Sequence, residues 1–215
     1  MLDKVSFYKV LVPPSPSEFA VSVNDVKRQI NLDVSDTCFD TEIEGFIMVA
    51  QAKAESYTNS IIMPQTVQMQ FDDVEYSKFE RFSYKSIRQF PLRSISNVMF
   101  HDGIQFNLLE FQTDYELQQR TAGYARIIFD DDAFNFSFND EVTPPYRYTL
   151  DAEVGYETAD DIPIQIRQAI KMYASYLFDT RGDCSGCECD GDGVPLMPSV
   201  VRALLGQFKI KEIYG

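Results

Sequence analysis

Hydrophobic and polar positions change their spacing twice along this chain. Val23, Val26 and Ile30 fall on one stripe behind Ser22, so residues 23–31 are expected to form a short amphipathic helix. Ser22 is a natural N-cap, its hydroxyl placed to accept the free N–H of Asp25, whose carboxylate sits at the positive end of the helix dipole. A longer helix is written by Phe39, Ile43, Phe46, Ile47, Ala50, Ala54 and Tyr57, with Glu42, Glu44, Gln51, Lys53 and Glu55 on the other side; Pro64 is expected to end it. From Gln65 to Val154 the period drops to two. Val67, Met69 and Phe71 alternate with glutamines; Ile127 with Phe129, then Phe134, Phe136 and Phe138, then Tyr146, Tyr148, Leu150, Ala152 and Val154 continue the alternation. Breaks at Asp72-Asp73, Asp102-Gly103, Asp130-Asp131-Asp132 and Pro144-Pro145 divide this stretch into six to eight short strands, the pattern of an antiparallel barrel or sandwich.

Helical spacing returns after Asp161. Pro163 suits a first turn, Ile166, Ile170, Tyr173 and Leu177 form the apolar stripe, Arg167, Lys171 and Asp179 are expected outside, and Gly182 stops the helix. Pro198-Ser199 opens a last short helix with Val201, Leu204 and Leu205 inward and Gly206 closing it. At the front, Lys9-Val10-Leu11-Val12 is an extended lead stopped by Pro13-Pro14-Ser15-Pro16. At the back, Phe208, Lys209, Ile210, Lys211, Glu212, Ile213 and Tyr214 alternate apolar and charged, which suits an extended strand in need of a surface to lie on.

Composition narrows the function. The 215 residues, 45% apolar with 17 Phe and 12 Tyr, carry enough buriable area to fold as one large domain or two small ones. Nineteen basic against 33 acidic residues leave a net charge of −14, which opposes gripping nucleic acid through phosphates and disfavours an anionic membrane. The opening Met1-Leu2-Asp3-Lys4 lacks a secretory layout and no apolar run has the length of a membrane span, so the expected place of synthesis is the cytoplasm. A single histidine excludes multi-histidine metal sites and imidazole relays. His101 precedes Asp102-Gly103 and reads as a hairpin-turn residue, not a base; the acidic run at 130–132 reads as a solvated strand end. No nucleophile elbow, phosphate loop or dinucleotide fingerprint is present, so no catalytic residue and no cofactor is assigned.

Cys184-Ser185-Gly186-Cys187-Glu188-Cys189 is the one segment with ligand-type spacing. It supplies a single zinc knuckle; Cys38, Asp183 or Asp190 would have to complete a tetrahedral set. A calcium loop fails by register, and a redox motif would need its first cysteine to open a helix. The segment therefore reads first as a surface loop, with Cys184, Cys187 and Cys189 as weak metal candidates and a local disulfide as a third option.

Both chain ends resemble tailed-phage head-to-tail connector, or adaptor, proteins. The similar segments are Val10-Leu11-Val12-Pro13-Pro14, residues 21–27, Ile30-Asn31-Leu32-Asp33 and residues 50–58. Further on come Phe90-Pro91-Leu92-Arg93-Ser94-Ile95, Ala152-Glu153-Val154-Gly155-Tyr156, residues 162–170 and residues 195–205. The resemblance implies an α+β fold: a helical bundle formed by both chain ends with an inserted antiparallel β barrel or sandwich. It assigns 1–63 and 156–206 to the bundle, 64–155 to the insert and 207–215 to an extended docking tail. It further implies a homo-oligomeric ring of about twelve copies at the virion head–tail junction. A portal protein would lie above, a tail or stopper protein below, and DNA would pass through without specific binding. Phe208, Lys209, Ile210, Lys211, Ile213 and Tyr214 would be the portal-docking residues. Residues 72–89 and 99–145 match nothing in that family. Two other readings stay open: a carbohydrate- or protein-binding β-sandwich on a helical platform, weakened by the absence of Trp, and a two-carboxylate hydrolase, for which no pair of acids stands out.

Overall fold

The structure, a computed structural model, describes residues 7–15, 18–72, 74–77, 82–87, 91–102, 104–120, 124–130, 147–181 and 196–209. It is α+β, with four helices and two antiparallel sheets among those residues. The chain divides into two compact units. One comprises Ser15–Met63 and Tyr156–Lys211 and contains all four helices; the other contains Pro64–Gly155 together with the first strand. That first strand, Phe7–Val12, falls inside the segment assigned from sequence to the N-terminal helical part, yet it belongs to the sheet unit because it pairs along Gln65–Phe71.

In the helical unit, α1 (Val23–Gln29) begins as the sequence indicates. The Asp25 N–H donates to Ser22 Oγ at 3.1 Å and the Ser22 N–H donates back to the Asp25 carboxylate at 3.4 Å, so two orphan N–H groups are satisfied reciprocally; the Ser22 hydroxyl also donates to that carboxylate at 2.7 Å. Helix α2 (Asp40–Thr58) buries Ile43, Ile47, Ala50, Ala54 and Thr58. It stops at Asn59, which turns left-handed (φ 53°), well before Pro64: the turn is made by Asn, one of the few side chains at ease there. Helix α3 (Ile164–Thr180) buries the expected Ile166, Ile170, Tyr173 and Leu177 and ends on left-handed Arg181 (φ 45°). Its guanidinium lies over the rings of Phe39 and Phe178, at 5.6 and 5.2 Å from their centroids. Helix α4 (Ser199–Gly206) buries Val201 and Leu205; Gly206 is its last helical residue, and the following Gln207 stays right-handed instead of supplying a glycine turn. Residues from all four helices share one apolar cluster.

In the other unit, β1 (Phe7–Val12), β2 (Gln65–Phe71), β5 (Leu92–His101), β6 (Phe106–Leu108) and β9 (Tyr148–Val154) form a five-stranded sheet in the order β1-β2-β9-β5-β6. The second sheet is β3 (Glu75–Ser77), β4 (Phe82–Ile87), β8 (Tyr124–Phe129) and β7 (Tyr115–Arg120), in the order β3-β4-β8-β7. Neither closes on itself among the described residues, so the barrel alternative is not what forms. The sheets meet through aromatic rings: Tyr148 of β9 lies 5.6 Å from Phe129 of β8, and Lys85 of β4 places its ammonium 5.1 Å from the centroid of the Phe71 ring. The sequence run Phe134, Phe136 and Phe138, with the break at Pro144-Pro145, lies outside the described residues.

Candidate functional site

Among the described residues no group of three or more His, Cys, Asp or Glu is placed to hold a metal ion. Cys184, Cys187 and Cys189 lie outside them. Cys38 is exposed, in the turn before α2, where its N–H donates to Asp36 Oδ1 at 3.0 Å. The thiol's own hydrogen bond to Asp36, and the charge on that carboxylate, raise the pKa of Cys38, which opposes a nucleophilic thiolate.

His101 ends β5 and its ring meets Phe106 edge-on at 4.6 Å, across the hairpin that Asp102 turns. The Asp102 carboxylate accepts the N–H groups of Ile104 and Gln105 at 2.8 and 2.9 Å and the Asn107 side-chain amide at 2.9 Å. Those bonds, led by the Gln105 and Ile104 N–H groups, pull its pKa down to about 2. Because the folded value is depressed, the turn gains from ionised Asp102 above the ordinary carboxylate range and loses that gain as pH falls through about 2. A side-chain carboxyl titration by NMR should give a midpoint near 2, and Asp102→Ala should abolish the acid-induced shift of the Ile104 amide; a midpoint near 4 would show that the turn bonds do not persist in solution.

A cleft of about 630 Å³ lies in the helical unit, bordered by Phe19, Asp25, Glu44, Ile164, Arg167 and Lys171. Arg167 and Lys171, expected on an outer face, thus border a concavity in which Arg167 Nη1 donates to Asp160 Oδ1 at 3.2 Å. Asp25 is held below its usual range chiefly by the Ser22 hydroxyl. Ser22, the cleft's hydroxyl, and Asp25 are both engaged in capping α1.

Of the tail residues expected from sequence to dock, Phe208 is half-buried against the helical cluster and Lys209 holds its ammonium 5.0 Å from the centroid of the Tyr57 ring. Ile210, Lys211, Ile213 and Tyr214 lie outside the described residues.

Three features escaped the sequence. Lys27, on a surface helix, is buried and paired with Asp40. Glu55 accepts the N–H groups of Ile62 and Met63 at 2.8 and 3.4 Å, fastening the segment that leads into β2; burial pushes its pKa up against the pull of those bonds. The third is a set of exposed apolar side chains: Val10, Leu11 and Val12 on β1, Phe106 and Leu108 on β6, and Met48 on α2. The only warning in the sequence was the uninterrupted Val10-Leu11-Val12 run.

No protein-family model matches the sequence, and no curated protein matches it. Solved structures do. A chain from the neck of an empty gene transfer agent particle, computed with C6 symmetry, has a TM-score of 0.70 at 14% identity, over 97% of this chain and 98% of its own. A chain from the neck of the native particle, computed with C12 symmetry, gives 0.66 at 13% identity over the same shares, and one from the native virion gives 0.68 at 13%. The likeness spans both units, and it agrees with the sequence resemblance: this chain has the fold of a particle-neck component, similar to the head-to-tail connectors.

Proposed function

We propose that this protein is a structural virion component, a head-to-tail adaptor. Helices from both chain segments form its bundle and the paired sheets its insert, and twelve copies close a ring beneath the portal, above a tail or stopper protein. The observation that carries this reading is the fold likeness over 97% of the chain to particle-neck chains computed with twelvefold and sixfold symmetry. The bulk charge agrees with a conduit: at −14, the protein offers DNA phosphates little to displace their counterions, so DNA slides without being held. The exposed apolar side chains agree with a subunit whose burial is completed by neighbours. The work assigned here is mechanical and needs no turnover of substrate.

Native mass spectrometry and electron microscopy of the purified chain, alone and with its portal protein, test the proposal. Rings or portal-bound rings support it; a chain that stays monomeric and leaves the portal bare overturns it. The tail's role is tested separately by deleting residues from Ile210 onward, a cut that spares Phe208 in the helical cluster and Lys209 over Tyr57. The body is expected to keep its unfolding midpoint while portal affinity falls by tenfold or more, about 1.4 kcal/mol. Unchanged affinity would remove the tail from the interface.

A further inference from the structure

A sheet of five strands in which every neighbour is antiparallel runs its two edge strands in the same direction. Among the described residues those edges are β1 and β6. Natural edges are normally blunted by charge or kept short, because unpaired N–H and C=O groups invite another strand. β1 carries one such charge, Lys9, and beyond it has the composition of a central strand. Val10, Leu11 and Val12 run without a polar interruption and remain 40%, 39% and 57% exposed. Val10 pairs with Val67, a fully buried neighbour on the same face, so β1 reaches past whatever covers β2. At the opposite edge, Phe106 and Leu108 are 46% and 64% exposed.

The two edges also match in face. The register slips between Val10 and Val12, so Val12 pairs with Thr66 and lies on that residue's side of the sheet, opposite Val67. Leu108 pairs with Met99, which pairs with Thr149, which pairs with Gln70. Gln70 and Thr66 are four residues apart on β2 and therefore share a face. Val12 and Leu108, the most exposed apolar residues of their strands, thus emerge on one side of the sheet.

We infer that β1 of one copy adds to β6 of the next, joining the five-stranded sheets of neighbouring subunits into a continuous belt. This rests on the ring proposed above. Symmetry selects the pairing: β1 against β1 is a two-fold contact that ends at a dimer, whereas a larger ring must repeat a contact between two different surfaces. A rotation of one twelfth of a turn leaves strand direction nearly unchanged, so the new ladder is parallel. Leu108 is level with Phe7 through Met99, Thr149 and Gln70, and Val12 is level with Thr66, so the ladder that sets Val12 beside Leu108 is staggered by about four residues, the strand tilt that a closed belt requires; Pro13, which has no N–H to donate, ends the pairing immediately after Val12.

The test is hydrogen–deuterium exchange on the full chain as monomer and as ring, the latter formed alone or on the portal protein. It is combined with Val12→Lys and Leu108→Asp, singly and together. Both positions are more than half exposed, so the monomer should keep its circular dichroism and its unfolding midpoint. In the ring, amides of 7–12 and 106–108 should slow at least tenfold. Each single substitution should weaken assembly at least tenfold, and the pair should recover most of it through the opposite charges. Rings whose two edges exchange as fast as in the monomer, or rings unaffected by either single substitution, overturn the strand pairing while leaving the ring reading standing. A β1-to-β1 dimer, or the absence of any ring with or without portal, overturns both.

Discussion

Replacing Asp40 with alanine is expected to lower the unfolding free energy by about 3–5 kcal/mol, the range for breaking a buried ion pair by removing one partner. Lys27 is 1% exposed, and its ammonium has two oxygen partners: the Val34 carbonyl at 3.3 Å and the Asp40 carboxylate. Without Asp40 a full positive charge stays inside the protein against one neutral dipole. Asp40 is also the first residue of α2, so its charge favours the exposed N–H groups there by roughly 0.3–1 kcal/mol. The reverse deletion should be mild. Lys27→Met keeps a long apolar stem, and Asp40, about a third exposed, can recover water, so the cost should stay within about 1.5 kcal/mol. Urea unfolding of the two variants checks the asymmetry; an equal loss, or a larger one for Lys27→Met, would mean that Lys27 is solvated in the working protein.

The same lysine shows where reading the chain stops. α1 was legible down to the atom: Ser22, Asp25 and the Val23–Val26–Ile30 spacing are local facts, and the cap forms as their spacing requires. The stripes of α2 and α3 were legible for the same reason, because three- and four-residue spacing does not depend on what lies opposite. By that rule Lys27 falls beside Val23 and Ile30 on the apolar side, but what its ammonium meets there is set elsewhere: the chain after α1 turns at left-handed Asn31 (φ 57°), and Val34 returns its carbonyl over the side chain. Nothing within α1 encodes that cover. β1 is hidden for a related reason: its partner β2 begins more than fifty residues later, so the extended lead could be read but not its sheet. Half of the candidate surface was legible as well. The apolar run at Val10–Val12 is plain in the sequence, but whether such a run is buried or exposed depends on its place in the strand order, which only the pairings reveal. The three cysteines drew the eye by spacing alone, and spacing without a second knuckle carries little.

Tyr148→Ala is expected to be the most damaging single change in the sheet unit, at about 3–5 kcal/mol. Tyr148 opens β9, the strand held on both sides by β2 and β5, and is 6% exposed. Its ring stacks on Phe71 at 5.1 Å with an interplanar angle of 11°, lies 5.3 Å from Phe100, and reaches Phe129 of the other sheet at 5.6 Å. Alanine therefore removes three aromatic contacts, each worth about 0.5–1.5 kcal/mol beyond its area, and opens a cavity between the sheets. Tyr148→Phe keeps the ring and should cost about 1 kcal/mol or less, the worth of one hydroxyl's hydrogen bond. Because the helical unit has its own apolar cluster, denaturation should show two steps, with Tyr148→Ala moving the aromatic near-ultraviolet signal of the sheets and leaving the helical far-ultraviolet step in place. A single transition in which both signals shift together would show that the two units unfold as one cooperative block. In that case a strand-paired belt of sheets would stabilise the helices of the ring as well, and disruption of β1 or β6 would then be felt at the helical far-ultraviolet signal.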